Sequence, residues 1–182
     1  MDFVGKKISV FGIQGSGKTH LAKKIMGNYR APIVYAVHKE DFADTRCYIF
    51  KARNLQADLE PFCKRVKEMA QQGKIDCMVL DEADMFVRDN FDISPSLLDL
   101  VLNHRHYNLA MIFISRRPQD LPTRIVESCH YLFCFMLEGE NALKKFQNIH
   151  PDFPNLLKSL DYQRHNFVFK ELGRPPQIHA PV

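Results

Sequence analysis

The 182-residue chain is 46% apolar and 25% charged, and its 25 basic and 21 acidic residues leave a formal net charge of +4. This is ordinary usage for one globular domain. It excludes collagen-like, coiled-coil and disordered classes, and the small basic excess permits a nucleic-acid partner without arguing for one.

The five cysteines (Cys47, Cys63, Cys77, Cys129 and Cys134) are odd in number and include no CxxC pair. They argue against a disulfide framework or zinc ribbon and for a reducing compartment. The chain starts without the apolar stretch of a signal peptide, and no run reaches the ~18 apolar residues of a membrane helix. A soluble, intracellular protein without an anchor is expected.

In chain order, Lys7–Phe11 is a short apolar strand that runs into a glycine-rich turn and a helix over Lys18–Met26. Residues 32–37 (PIVYAV) read as a second strand and 47–50 as a short third. Leu59, Phe62, Val66 and Met69 fall on one face of a helix over residues 58–72, which Gly73 stops. The run 75–80 is continuously apolar, as in a strand buried on both faces of a parallel sheet. A helix with Pro95 in its first turn follows over 94–106, then buried strands at 109–115 and 131–137, a helix at 141–149 and an edge strand at 166–170. Phe133, Phe135, Phe167 and Phe169 alternate on their strands and are assigned to the core. Residues 1–172 form the domain, and 173–182, with Pro175, Pro176 and Pro181, an extended tail that is disordered alone or lies on a neighbouring subunit. Strands alternating with helices give an α/β fold with a mostly parallel central sheet flanked by helices.

The strongest motif is Gly12-Ile13-Gln14-Gly15-Ser16-Gly17-Lys18-Thr19, a P-loop set between a strand and a helix. Gly12, Gly15 and Gly17 let the backbone turn tightly and aim its N–H groups inward. Those groups and the helix N-terminus hold phosphate oxygens, Lys18 places a charge on the β- and γ-phosphates, and Thr19 offers its hydroxyl to Mg²⁺. His20, next in the chain, joins the nucleotide-binding set. ATP and Mg²⁺ are the expected ligands.

Met78-Val79-Leu80-Asp81-Glu82 is a second element, an apolar strand that delivers carboxylates to the sheet edge where phosphates bind. Asp81 is assigned to Mg²⁺ through a water and Glu82 to the attacking water, a pairing that favours hydrolysis over transfer to a bound acceptor. Asp84 completes the letters of a helicase signature, but one domain is too few for that family, and Asp84 is assigned to the surface or to helix capping. His104, His106, His130 and His150 form no spaced metal set.

The stretch from Arg105 through the strand 109–115 to Arg116-Arg117-Pro118 resembles the block before the sensor in the FtsK–HerA superfamily of DNA-pumping ATPases. The resemblance spans residues 5 to 137. It implies a P-loop NTPase of ASCE/RecA-like type, with Ser115 in the place of a threonine and Arg105 where the family keeps an arginine finger. Arg116 stands where the family keeps a sensor glutamine. A guanidinium cannot accept a hydrogen bond from water, so Arg116 acts electrostatically on phosphate or Ser115 does the sensing.

Within the superfamily the chain is similar to the compact genome-packaging ATPases of membrane-containing viruses and phages, and the Zot-like phage proteins share a Ser-x-Arg-Pro ending. What this implies is an ATP-hydrolysing homo-oligomeric ring that moves double-stranded DNA without reading its sequence and docks on a capsid or membrane-vertex protein. Its place would be the host cytoplasm or the virion. Arg105, Arg116 or Arg117 of a neighbour would complete the site, and the loop 85–92, with Arg88 at its centre, would grip DNA phosphates. A small-molecule or nucleoside kinase and an ATP-switched phage assembly factor are the competing readings.

Overall fold

The computed structural model describes residues 2–53, 57–87 and 93–181. The strands are β1 (Lys7–Phe11), β2 (Pro32–Ala36), β3 (Tyr48–Lys51), β4 (Cys77–Leu80), β5 (Ala110–Ser115), β6 (Tyr131–Cys134), β7 (Phe167–Glu171) and β8 (Gln177–His179). The helices are α1 (Lys18–Met26), α2 (Leu59–Gln71), α3 (Pro95–Asn103), α4 (Thr123–Glu127), α5 (Glu140–Ile149) and α6 (Phe153–Lys158).

The strands form one sheet in the order β3-β2-β4-β5-β1-β6-β7-β8. β3 through β6 run parallel, and β7 and β8 add antiparallel. β5 is thus inserted between β1, which leads into the glycine-rich turn, and β4, which carries the acids. Every residue of β1, β2, β4, β5 and β6 is buried, as continuous apolar runs require of strands covered on both faces.

The two faces are covered unequally. Leu59, Phe62 and Val66 of α2 pack with residues of α3, α5 and α6 against one side, and Met69 joins them partly buried. The other side is closed by α1 through Leu21, Ala22, Ile25 and Met26, together with Phe133, Phe135, Phe167 and Phe169, all four of which are buried as expected.

Several elements differ from the sequence reading. The helix expected over 94–106 ends at Asn103 and tightens into a 3₁₀ turn, because the Leu109 amide bonds back to the His104 carbonyl and Asn108 takes φ 50°. β6 stops at Cys134, yet the chain stays engaged beyond it: Phe135 N donates to the Phe11 carbonyl and Ile13 N to the Met136 carbonyl. The short helices α4 and α6 have too few turns to show a periodicity. Finally, β7 is not the edge. Residues 173–182, expected as an extended tail, carry β8, which pairs Phe167 with His179 and Phe169 with Gln177. The His179 ring stacks on Phe167 at 5.8 Å and 12° and meets Phe169 edge-on.

His104 sits at the N-terminal edge of the sheet, just before β5. It is 2% exposed, and its Nδ1 lies 3.1 Å from the Leu109 carbonyl. Burial pushes its pKa down to about 4, against the Leu109 hydrogen bond and with help from the charges of Lys7, His130 and Arg105. The folded chain therefore prefers the neutral ring. Above the unfolded value near 6.5 this preference costs nothing, and as pH falls toward 4 the unfolded chain takes up a proton that the folded chain refuses, so stability is lost across that window. The loss amounts to roughly 3 kcal/mol. His104→Gln keeps a donor for Leu109 and removes the titration. Urea midpoints measured from pH 7 to 4.5 are expected to fall less steeply in this variant than in the parent, and parallel slopes would contradict the assignment.

Candidate functional site

The turn after β1 is pinned from three directions. Gly12 N donates to the Ser115 carbonyl at the tip of β5 (3.3 Å), and Ile13 N to the Met136 carbonyl beyond β6 (3.1 Å). From the far end of the chain, the Tyr162 hydroxyl donates to the Gln14 carbonyl (3.2 Å) and His165 Nδ1 lies 3.3 Å from the Ser16 carbonyl. Two glycines are required by this packing. Gly15 has φ 75°, and a side chain there would run into the Tyr162 hydroxyl. A Cβ on Gly12 would lie 2.7 Å from that of Phe135.

α1 starts from Gly17 in the left-handed region, with no side-chain cap and no acid in its first turn. Its orphan N–H groups are therefore free for an anion, as a phosphate site needs. The Ser16 hydroxyl beside them is buried and has no partner among the described residues.

Lys18 is 9% exposed, and its ammonium donates to the Ile13 carbonyl at 2.7 Å. Burial, then the Arg116 charge, lower its pKa to about 8 against the pull of Asp81, Asp84 and Glu82. A cation so stripped of water favours any anion that enters the cup.

Asp81 leaves the end of β4 and is 4% exposed, with its amide bonded to the Tyr35 carbonyl. Burial pushes its carboxyl up to about 7, with Glu82 and then Asp41 adding repulsion. Glu82 follows at φ 52°, a left-handed backbone that costs a non-glycine residue about 1 kcal/mol or more. Its carboxylate is paired with the Arg116 guanidinium. Ser115 is fully buried: its Oγ accepts from Arg117 N at 3.1 Å, and its carbonyl supports Gly12. Arg117 itself points to Asp120.

Asp84 corrects an expectation. It is neither a surface residue nor a helix cap; it is half-buried, accepts from Arg116 N at 3.4 Å and ties the end of β4 to the end of β5. Burial raises its pKa.

These groups surround a cleft of about 320 Å³ that includes Gln14, Gly15, Lys18, Thr19, Asp81, Glu82, Ser115 and Arg116. Two residues that the motifs did not flag, His38 and Asp41, also line it. They follow β2 at the same edge, and the rule that ligands gather at the C-terminal ends of parallel strands would have found them. Tyr162 and His165, 148 and 149 residues from the carbonyls they contact, gave no local signal.

Two predicted site residues lie apart from the cleft. His20 is exposed on the other flank of α1, beside Phe135 and His165. Arg105 sits before β5, at the opposite edge of the sheet, where its Nη2 is 2.8 Å from His130 Nε2. A six-residue strand, roughly 20 Å, separates it from its own cleft. Residues 88–92, with Arg88, lie outside the described residues.

No curated protein is similar in sequence at a significant level. Solved structures are similar in fold. B204, the DNA-packaging ATPase from Sulfolobus turreted icosahedral virus, matches at TM-score 0.83 and 16% identity over 100% of both chains. The genome packaging NTPase B204 from Sulfolobus turreted icosahedral virus 2, in complex with ATP-gammaS, matches at 0.82 and 16% over 98% of both. The N-terminal domain of zonular occludens toxin from Neisseria meningitidis matches at 0.53 and 16%, over 72% of this chain and 76% of that one. At these identities the likeness is one of fold. A family model described as an AAA domain matches residues 5–121, well over half of the sequence and all of the cleft's main groups. The chain belongs to the AAA domain family of P-loop NTPases.

Proposed function

We propose that the chain is the ATP-hydrolysing subunit of a ring that moves double-stranded DNA, as in viral or phage genome packaging. The observation that carries the hydrolytic part is the convergence of an uncapped helix start, a desolvated Lys18 and the Asp81–Glu82 pair on one cleft. Likeness of fold over the whole chain to a DNA-packaging ATPase supports the wider reading.

In this reading the backbone N–H groups of residues 15–19 cradle the phosphates, and Lys18 leaves the Ile13 carbonyl for the β/γ oxygens. Thr19 and Asp81 line the same cleft and offer hydroxyl and carboxylate oxygens, the donors that Mg²⁺ takes alongside phosphates and waters. Among the described residues there is no cluster of three ligating side chains, and a cation shared with substrate phosphates needs none. Bound there, magnesium would neutralise charge on the β- and γ-oxygens. Glu82 orients the attacking water and takes its proton. Arg116 first holds Glu82 and then exchanges that carboxylate for the γ-phosphate, so the base is released when substrate arrives. Because Arg105 faces away from its own cleft, it serves a neighbour's, and that requires assembly.

The deciding measurement is ATP turnover with and without double-stranded DNA, beside a mass determination of the assembly. DNA affinity is expected to be independent of sequence and to fall steeply with salt, since phosphate neutralisation dominates it. An assembled protein that fails to bind DNA at low salt would favour an ATP-driven switch instead.

Two substitutions separate binding from chemistry. Lys18→Ala is expected to weaken ATP binding and abolish hydrolysis, whereas Glu82→Gln keeps ATP bound and slows hydrolysis by about 10²-fold or more. A Glu82→Gln protein that loses affinity but keeps turnover per bound ATP removes Glu82 as the base.

Complementation tests Arg105. Glu82→Gln and Arg105→Ala subunits are each expected to be nearly inactive, because an arginine finger contributes about 10³-fold or more. Mixed, they regain activity wherever an intact Glu82 meets an intact Arg105. No recovery at any ratio, with mixed assemblies shown by mass, excludes action in trans.

A further inference from the structure

A second cavity flanks the P-loop, on the side of α1 away from the acids. It holds about 290 Å³, near the lower end of the roughly 300–1,000 Å³ typical of ligand sites. Gly17, His20, Leu21, Phe135, His165 and Pro181 line it. Thr19 faces the acidic cleft and His20 faces this one, so the first turn of α1 divides the two spaces.

The division fixes the direction of a bound nucleotide. Its γ-phosphate belongs with Lys18, Asp81 and Glu82, so its sugar and base leave the loop on the opposite flank. The walls there are flat and mostly apolar. The Phe135 ring comes 3.4 Å from where a Cβ on Gly17 would stand, which sets it directly on the loop. The His165 imidazole is anchored to the Ser16 carbonyl, its own backbone held at φ 48°. The exposed His20 and the Pro181 ring supply the remaining faces. Among the described residues no carboxylate, amide, lysine or arginine side chain lines the space, so the described side-chain groups able to hydrogen-bond a base are the ring nitrogens of two histidines.

Pro181 comes from the chain end that β8 fixes to the sheet, where Ala180 and Pro181 also border a larger apolar cavity of about 590 Å³ behind α1. The tail is therefore built into the wall.

We propose that this cavity is the nucleobase site, that it takes a purine by stacking between His20, Phe135, His165 and Pro181, and that the C-terminal segment is thereby a nucleotide-binding element. The proposal rests on the P-loop reading above and adds the base, its mode of recognition and the role of the chain end. Stacking surfaces accept any purine. A site that reads a base by hydrogen bonds rejects the wrong one by about 10⁴-fold or more, whereas shape and stacking discriminate by about 10- to 200-fold.

The test uses calorimetric titration of the full chain with ATP, GTP, CTP and inorganic tripolyphosphate, which has the phosphates but neither sugar nor base. The variants are His20→Ala, at an exposed position, and a chain ending after His179, which keeps β8. Each is expected to lose about tenfold in ATP affinity, the scale of losing one stacking partner, while tripolyphosphate affinity stays within about twofold. ATP and GTP are expected to bind within about tenfold of each other and CTP more weakly. Equal losses for ATP and tripolyphosphate would mean that these residues act only on the shape of the loop, and unchanged ATP affinity in both variants would put the base elsewhere. A preference for ATP over GTP beyond about 10³-fold would overturn recognition by stacking. Failure of the P-loop reading itself looks different, since the parent chain would then bind neither ATP nor tripolyphosphate.

Discussion

Lys18 lies beside the unsatisfied N–H groups of the first turn of α1, almost wholly out of water, with one backbone carbonyl as its hydrogen-bond partner. Across the cleft, Asp81 is buried nearly as deeply and Glu82 is tied to Arg116. These charges line one cleft, with Lys18 and Asp81 each held there at a burial cost, and that electrostatic tension is what the surrounding fold maintains. The insertion of β5 between β1 and β4 sets the separation of lysine and acids. The Ser115 carbonyl, at the end of that same strand, props up Gly12. An anion entering the cup relieves the tension from the lysine side, and a cation relieves it from the acid side.

Arg116 links the two. Its guanidinium pairs with Glu82, and its amide reaches Asp84, so one residue at the tip of β5 touches two of the three acids that follow β4. Glu82 is held in a left-handed backbone as well, which limits the directions its side chain has available. A carboxylate fixed this way lines the cleft with its charge already paired. Where the resemblance implied a glutamine, Arg116 stands and makes an ion pair with Glu82.

The sheet separates functions by edge and by face. Its C-terminal edge carries the cleft, and its N-terminal edge carries Arg105, His104 and His130. One face is filled by α2, α3, α5 and α6, while α1 alone covers most of the other. Thin cover leaves cavities beside α1, and the chain end closes over them through β8 and Pro181. Within the described residues, no helix is long and apolar enough to cross a membrane.

The P-loop and the Asp81–Glu82 pair were legible in the sequence because each demand is local: glycines where the backbone must turn, a lysine and a threonine at a helix start, acids at the end of a run buried on both faces. Strands β1, β2, β4, β5 and β6 were legible for the same reason, since burial on two faces writes a continuous apolar run. What the sequence left open was decided by contacts between distant segments. Tyr162 and His165 brace carbonyls 148 and 149 residues away, and their own neighbourhood has no periodicity that marks them. Asp41 enters the cleft only because β2 pairs beside β4. Gln177–His179 becomes a strand because β7 offers an open edge and two phenylalanine rings to His179, although its proline-rich surroundings read as a loose tail. Local backbone chemistry specified the loop and its acids by itself; which side chains brace that loop, and where the chain end lies, depended on pairings that exist only once the sheet has formed.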